Sequence, residues 1–502
     1  MIRQLISGTD LRGRAVGDDA RLTPAVAERV GEAFAAFLKK GCSGSPKVYI
    51  GRDSRVSGPE ILEGCARGLC RGGAQVIKVG LCTTPAMFMT LITEGWGGDG
   101  AVMVTASHMP SEMNGLKMML PSGGLEHDQL DRIVELAVSE GDLEALGGTV
   151  SEADFLPAYK KLLGKRIHEG LQVDDPQPLR GLHVVVDPGN GAGGFYASFL
   201  KEMGADISGS VNLEPDGSFP VHIPNPEDPT AMRMVSEATV KAGADLGVIF
   251  DADCDRAAIV DPDGREINRN RLIALISAVL LGKKKGLSVV TDSVTSTGLR
   301  LFIEKRGGEQ YRYKRGYRNV IDEAIRLNRE GIDCPLAIET SGHAALRENH
   351  FLDDGMYLVT VLICEAMRLK QSGKMLGSLI EDLKEPVESA EIRLRILEED
   401  FRSTGKEAIR LVEEAAASRP GWNIAPDNRE GIRITFDLNG EKESAWFLLR
   451  LSVHDPVMPL NLESDVPGGC LEMAKGLLAL LQGIPGLDLS RLTGFISDRE
   501  RA

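Results

Sequence analysis

Short apolar runs rich in β-branched residues alternate with longer segments whose apolar residues recur at helical spacing, and this alternation fills most of the chain. Val48–Ile50 reads as a strand, Glu60–Gly72 as a helix, Val76–Val79 as a strand, Ala86–Glu94 as a helix and Ala101–Thr105 as a strand. Such a rhythm predicts a mostly parallel sheet with helices on its faces. It restarts after Gly181, with strands at His183–Val186, Ile207–Val211 and Leu246–Phe250 and helices at Ala192–Met203 and Thr230–Ala242. It restarts again after Pro262, with helices at Arg271–Leu281, Ser296–Lys305, Asn319–Arg329 and Gly355–Gln371 and strands at Ser288–Thr291 and Pro335–Ile338. The last section differs. Glu391–Ile396 reads as a strand, Lys406–Ala417 as a helix, Gly431–Asp437 and Trp446–Val453 as consecutive strands, and Leu471–Leu481 as a final helix. Strands in succession with helices set apart predict an α+β domain.

A chain of 502 residues exceeds the roughly 250–300 that one hydrophobic core supports. The pattern therefore predicts four domains: 1–152, 153–261 and 262–376, three related α/β units, and 377–502, of α+β type. A formal net charge of -15 disfavours nucleic acid and anionic membranes as partners. No apolar run approaches the roughly 20 residues of a membrane span, and Met1–Leu5 lacks a signal-peptide core. The eight cysteines are scattered without a C-x-x-C pair, as expected for free thiols in a reducing cytoplasm.

Asp251-Ala252-Asp253-Cys254-Asp255-Arg256 follows the apolar run Leu246–Phe250. In an extended chain, residues i, i+2 and i+4 share one face, so three carboxylates converge and need a cation. Hard oxygen ligands suit Mg²⁺. An EF-hand is excluded, because Arg256 and Pro262 stand where that loop needs Gly and Glu. Ser107, in Thr105–Pro110 after a strand, is a candidate nucleophile with His108 and Lys117 nearby, although on these residues alone an ordinary turn serine is the better reading. No G-x-S-x-G elbow is present. Gly51–Gly58 places two arginines and two hydroxyls before a helix, where they could bind an anion or form a charged surface turn. Gly189–Gly194 contains G-x-G-x-x-G with Glu214 beyond it, a dinucleotide-type pattern that also describes any tight strand–helix turn. Glu339-Thr340-Ser341-Gly342-His343 offers groups that could hydrogen-bond vicinal sugar hydroxyls.

In this order, the pieces resemble the α-D-phosphohexomutases, the phosphoglucomutase/phosphomannomutase family. Gly8–Gly13 resembles the opening element, Gly51–Gly58 matches G-R-D-x-R-x-S-G, and Thr105–Pro110 with Asn114–Lys117 matches T-A-S-H-N-P…N-G-x-K with Met109 for Asn. Asp251–Arg256 matches D-G-D-G-D-R, with Ala252 and Cys254 replacing glycines. Gly316–Arg318 resembles G-[FY]-[KR], and Glu339–His343 matches E-x-S-G-H. The resemblance implies three related α/β domains plus an α+β domain around a central cleft that holds the active site. It implies a phosphoserine loop in the first domain, a metal loop in the second, a sugar-recognition loop in the third and a phosphate-binding loop in the fourth. Ser107 would be the phosphoserine, and Asp251, Asp253 and Asp255 would hold one Mg²⁺ together with its phosphate. Arg256 would neutralise phosphoryl oxygens, and Arg12, Lys117 and His108 would assist transfer. Glu339 and Ser341 would read the sugar, with His343 and Arg318 nearby. The reaction implied interconverts glucose or mannose 1- and 6-phosphates by way of a hexose 1,6-bisphosphate, which also serves as activator. The enzyme is expected as a cytoplasmic monomer or homodimer.

The match weakens at Arg450-Leu451-Ser452-Val453-His454-Asp455-Pro456, where the family carries R-x-S-G-T-E-P. Arg450, Ser452 and His454 would grip the non-reacting phosphate, but Val453 disfavours the φ > 0 that glycine allows. Two alternatives follow: a low-turnover sugar-phosphate-binding or regulatory relative, and a phosphoglucosamine mutase. A Mg²⁺ phosphatase using a loop aspartate as nucleophile is a more distant one.

Overall fold

The computed structural model describes residues 2–139, 145–452 and 455–501. The chain folds as two compact units, Met1–Leu272 with Ser341–Leu379, and Ile273–Thr340 with Ile380–Ala502.

The first unit carries two sheets. In the larger, Gly100–Val104, Lys47–Arg52, Gln75–Leu81 and Thr149–Glu152 run parallel in that order. Met113–Leu120, Asp10–Arg14 and Ile6–Ser7 extend it antiparallel from the other side of Gly100–Val104. The sheet is thus mixed, because the strand Met113–Leu120 returns directly after the loop at Ser107. Its core is sealed by helices Pro24–Lys39, Gly58–Arg71 and His127–Val138. The first two touch at backbone distance. A Cβ on Gly31, Gly64 or Gly68 would lie 2.3, 2.3 or 1.8 Å from a carbonyl oxygen of the facing helix.

The second sheet has Val184–Asp187 and Leu246–Phe250 parallel, followed by Ala257–Val260 and Glu266–Ile267 antiparallel. The strand expected at Ile207–Val211 does not form. Asp206 bridges His183, but Gly209 adopts φ 84 and Ser210 N–H donates to the Ile207 carbonyl, so a local turn interrupts the ladder before Val211 N–H rejoins the strand at the Val186 carbonyl. The hairpin of Ala344–Leu346 and Leu352–Asp353 and the helix Gly355–Gln371 complete this unit.

In the second unit, Glu309–Arg312, Ser288–Thr291 and Leu336–Ile338 form parallel pairs. The C-terminal sheet is wholly antiparallel, in the order Asn423–Ile424, Ile432–Leu438, Glu441–Leu449, Val457–Ser464, Glu388–Ile396, Leu487–Asp488. Helices Phe401–Ser418 and Gly469–Leu481 share its core. Leu471–Leu481 is not the final helix, because Ser490–Arg501 follows and buries Leu492 and Ile496 against the same sheet. No helix among the described residues is long and apolar enough to cross a membrane.

Two measurements test this packing. Gly68→Ala should destabilise the first unit by about 1–3 kcal/mol in thermal unfolding. The control Gly44→Ala, where a Cβ meets nothing within 4 Å, should stay within about 0.5 kcal/mol of the parent. Asp354 caps helix Gly355–Gln371 through Tyr357 N–H and accepts from the Tyr159 hydroxyl. Burial pushes its carboxyl from 3.8 up to about 6, against the hydrogen bonds from Tyr357 and Tyr159. The fold favours the neutral acid, so this contribution to stability is full below pH 3.8 and is lost as pH rises through 6. Asp354→Asn should therefore gain about 2 kcal/mol relative to the parent between pH 4 and pH 7 in chemical denaturation.

Candidate active site

Strand Gly100–Val104 delivers Thr105–Pro110 at its C-terminal end, and Ser107 there takes φ 52 in a buried position. Its Oγ donates to Asp251 Oδ2 at 2.8 Å and lies 3.2 Å from His108 Nδ1. Burial, then Arg256 and Arg12, lower the His108 imidazole to about 2, so the ring is neutral. Lys117 projects from the neighbouring antiparallel strand, and its Nζ lies 2.8 Å from Asp255 Oδ2. Arg12 sits on the strand paired at Gly115, with its guanidinium 2.9 Å from Asp10.

Asp251–Arg256 is not extended, as the sequence reading had it. Cys254 N–H donates back to the Asp251 carbonyl, and Cys254 takes φ 66, so a tight turn follows Phe250. The turn brings the three carboxylates together, whereas an extended chain would separate alternate side chains by about 7 Å. One oxygen from each lies within 4.8 Å of the other two, and all three residues are buried. The turn is tied down by Thr84, whose Oγ1 donates to Asp253 Oδ2 at 2.5 Å and whose N–H donates to the Asp253 carbonyl. Arg256 N–H donates to Asp251 Oδ1 at 3.1 Å.

Arg256 Nε lies 3.1 Å from His343 Nε2, and Ser341 Oγ lies 2.9 Å from His343 Nδ1. Burial opposes a charge on His343, but Asp353 and Asp255 outweigh it and raise the ring to about 10. Ser107, His108, Lys117, Arg12, Asp251, Asp253, Asp255, Arg256, Ser341 and His343 thus meet in the first unit.

The remaining candidates lie in the second unit. Glu339 ends strand Leu336–Ile338 and accepts from Gly316 N–H at 2.6 Å. Gly316 holds φ 119, which is closed to other residues. Arg318 pairs with Asp322 one turn along its own helix, at 3.0 Å. Ser452 closes a turn: its N–H donates to the Val457 carbonyl and its Oγ accepts from Asp455 N–H. Arg450 is half-buried, and its Nε has no hydrogen-bond partner among the described residues. Burial lowers its affinity for a proton, and Glu430 works against that. His454 and Val453 lie outside the described residues.

Two stretches read differently in three dimensions. In Gly189–Gly194 the glycines serve close packing, since a Cβ on Gly191 would lie 2.7 Å from Ala252 and one on Gly194 1.9 Å from the Leu213 carbonyl oxygen. In Gly51–Gly58, Arg55 is neither on the surface nor free for an anion. It is fully buried against Asp53 and the Ser107 loop. The sequence also gave no sign of Thr84, whose only local mark is its place in a Thr-Thr-Pro helix start.

The carboxylate turn fits a divalent cation. Asp253 Oδ1 and Asp255 Oδ1 are buried without hydrogen-bond partners. Burial, then Asp255 and Asp253, push Asp251 well above the carboxylate range, and burial with Asp255 also raises Asp253. Burial works against the charge on Asp255 too, but Lys117 and His343 hold it well below that range. Mg²⁺ at 100 times its Kd should stabilise the protein by about 2.7 kcal/mol in thermal melts. Asp251→Asn should abolish most of that gain while matching or exceeding the parent's stability in chelator, because burial and the neighbouring carboxylates already favour a neutral group there.

Family models described as phosphoglucomutase/phosphomannomutase alpha/beta/alpha domains I, II and III match residues 3–144, 164–264 and 268–387. A phosphoglucomutase from Neisseria gonorrhoeae is 29% identical over 490 residues, 97% of this chain and 98% of its own. A phosphomannomutase/phosphoglucomutase from Pseudomonas putida is 30% identical over 84% of each chain. The crystal structure of a phosphoglucomutase/phosphomannomutase family protein from Burkholderia thailandensis superposes with a TM-score of 0.80 at 26% identity, covering 97% of this chain and all of that one. With three consecutive domain models matched in order, and relatives aligned over nearly its whole length, the chain belongs to the phosphoglucomutase/phosphomannomutase family.

Proposed function

We propose that the chain is a phosphohexomutase that interconverts hexose 1-phosphate and hexose 6-phosphate, of glucose or mannose, through a phosphorylated Ser107. The observation that carries this reading is the meeting of Ser107 Oγ, three carboxylates, Lys117 and Arg256 in one buried site. The four segments 1–152, 153–261, 262–376 and 377–502 each supply one loop to the reaction.

Phosphoryl transfer asks the protein mainly for position and charge neutralisation. In the first half-reaction, the bond from Ser107 Oγ to phosphorus breaks and a bond from a sugar hydroxyl oxygen to phosphorus forms. The proton of that sugar hydroxyl ends, in net terms, on the departing Ser107 Oγ, where the hydrogen bond to Asp251 Oδ2 holds it here. The bisphosphorylated sugar then reverses and returns its other phosphoryl group to Ser107. Ser107, Asp251, Asp253 and Asp255 would hold a single Mg²⁺, which when bound supplies positive charge to the phosphoryl oxygens. Lys117, Arg12 and Arg256 add cationic charge, and neutral His108 stands beside Ser107 Oγ as an acceptor. Glu339 and Ser341 would read the sugar hydroxyls with His343 and Arg318, and Arg450, Ser452 and His454 would hold the second phosphate. A hexose 1,6-bisphosphate would prime the serine. Eight free cysteines support a cytoplasmic setting for the enzyme.

A second reading, a relative that binds sugar phosphate with little turnover, is favoured by one observation. Glu430 and Glu391 lie close enough to Arg450 to compete with a phosphate for its charge. Assays with glucose, mannose and glucosamine 1-phosphates, primed with bisphosphate, should give turnover with glucose or mannose and little with glucosamine. Intact-mass spectrometry should find an added ~80 Da that is absent in Ser107→Ala, and that variant should lose at least about 1,000-fold in kcat. No turnover on the whole panel would favour the second reading.

A further inference from the structure

The first unit holds a fully buried arginine that reaches neither the carboxylate turn nor solvent. Arg55 lies in the loop after strand Lys47–Arg52, and its five guanidinium N–H groups are all spent. Nε donates to Asp53 Oδ2 at 3.1 Å. Nη1 donates to the carbonyls of Pro110 and Met113 at 2.6 and 2.9 Å. Nη2 donates to the carbonyls of Ser107 and Met109 at 2.6 and 2.7 Å. Four of the five therefore end on the backbone of one loop, that of Ser107.

The other end of the same loop is held by the same pair. Asp53 Oδ2 also accepts from Thr105 Oγ1 at 2.7 Å, and Thr105 Oγ1 accepts from Ser107 N–H at 2.9 Å. The N–H and the carbonyl of Ser107 are thus both fixed from Asp53 and Arg55. The arginine is backed by the Phe219 ring, 5.2 Å from Cζ, and by a backbone bridge to Gly217, where a Cβ would lie 2.2 Å from the Ser54 carbonyl oxygen.

We propose that Arg55 is a positioning residue for the phosphoryl-carrying Ser107: its guanidinium sets the backbone of residues 105–113 and so holds Oγ in line with its partners. This rests on the mutase reading given above. It also separates Arg55 from the anion-binding arginines, because no N–H remains for a ligand. A small displacement of a reacting atom costs far more in rate than in affinity, so the effect belongs in kcat.

The test compares Arg55→Lys and Thr105→Val with the parent. Lysine keeps the charge opposite Asp53 but cannot direct four bonds to four carbonyls. In folded Arg55→Lys, kcat should fall about 100-fold with KM for the hexose phosphate held within about threefold. Amide exchange of residues 105–113 should quicken at least about 10-fold relative to strand Leu246–Phe250. A folded variant with kcat within about threefold of the parent, a loss carried by KM, or unchanged exchange overturns the proposal. If Arg55→Lys does not fold, Thr105→Val decides, because it keeps volume and removes the hydroxyl that ties Ser107 N–H to Asp53, the carboxylate partner of Arg55. A drop of about 10-fold in kcat supports the proposal, and parental kcat overturns it. If the parent turns over no hexose phosphate, the mutase reading fails by itself, and the exchange measurement still decides whether Arg55 holds the loop.

Discussion

Three carboxylates forced together where water does not reach are the constraint around which the first unit is arranged. Each aspartate of the turn loses hydration, and each repels the other two. The structure answers one charge at a time. Lys117 and His343 stabilise Asp255, the Thr84 hydroxyl takes one oxygen of Asp253, and Ser107 Oγ with Arg256 N–H takes both oxygens of Asp251. Two oxygens are left with no donor. Those oxygens, with His343 Nε2 no nearer than 3.5 Å to the one on Asp255, are where a hard cation would add its charge.

Such a cluster has to be enclosed by backbone, since side chains would hold the walls apart. The chain around the turn is accordingly rich in glycine at the points of closest approach. Gly191 abuts Ala252, and Gly355 abuts Arg256, with Gly355 N–H donating to the Cys254 carbonyl. The strand ends then act as rigid mounts. Gly100–Val104 presents Ser107, Leu246–Phe250 presents the aspartates, and the helix starting at Thr84 presses its first residue onto Asp253. The cations arrive on the adjacent antiparallel strands, a placement available only because the sheet is mixed.

Much of this was legible in the chain itself. Alternation of apolar runs with helical spacing located Leu246–Phe250 and Gly355–Gln371, because strong periodicity survives any tertiary context. The order of the motifs singled out Ser107 and the aspartates, and the fold brings them together. What stayed hidden depended on distant partners. Ile207–Val211 has strand composition, but a glycine at φ 84 bends it out of register. The aspartates converge through a turn, and nothing in cysteine's own backbone preferences announces a left-handed Cys254. Arg55 looked like surface charge because its carbonyl acceptors lie more than 50 residues away in sequence, and backbone acceptors carry no residue signature.

The left-handed backbone at Ser107 has a consequence for which hydroxyl-bearing residue this position admits. Threonine carries the same hydroxyl. At φ 52, however, a second heavy atom on Cβ meets the neighbouring carbonyls, and β-branched residues avoid that region. Backbone sterics therefore favour serine over threonine at this position. An evolutionary exchange of serine for threonine here, trivial in most loops, would first require the whole turn to be rebuilt.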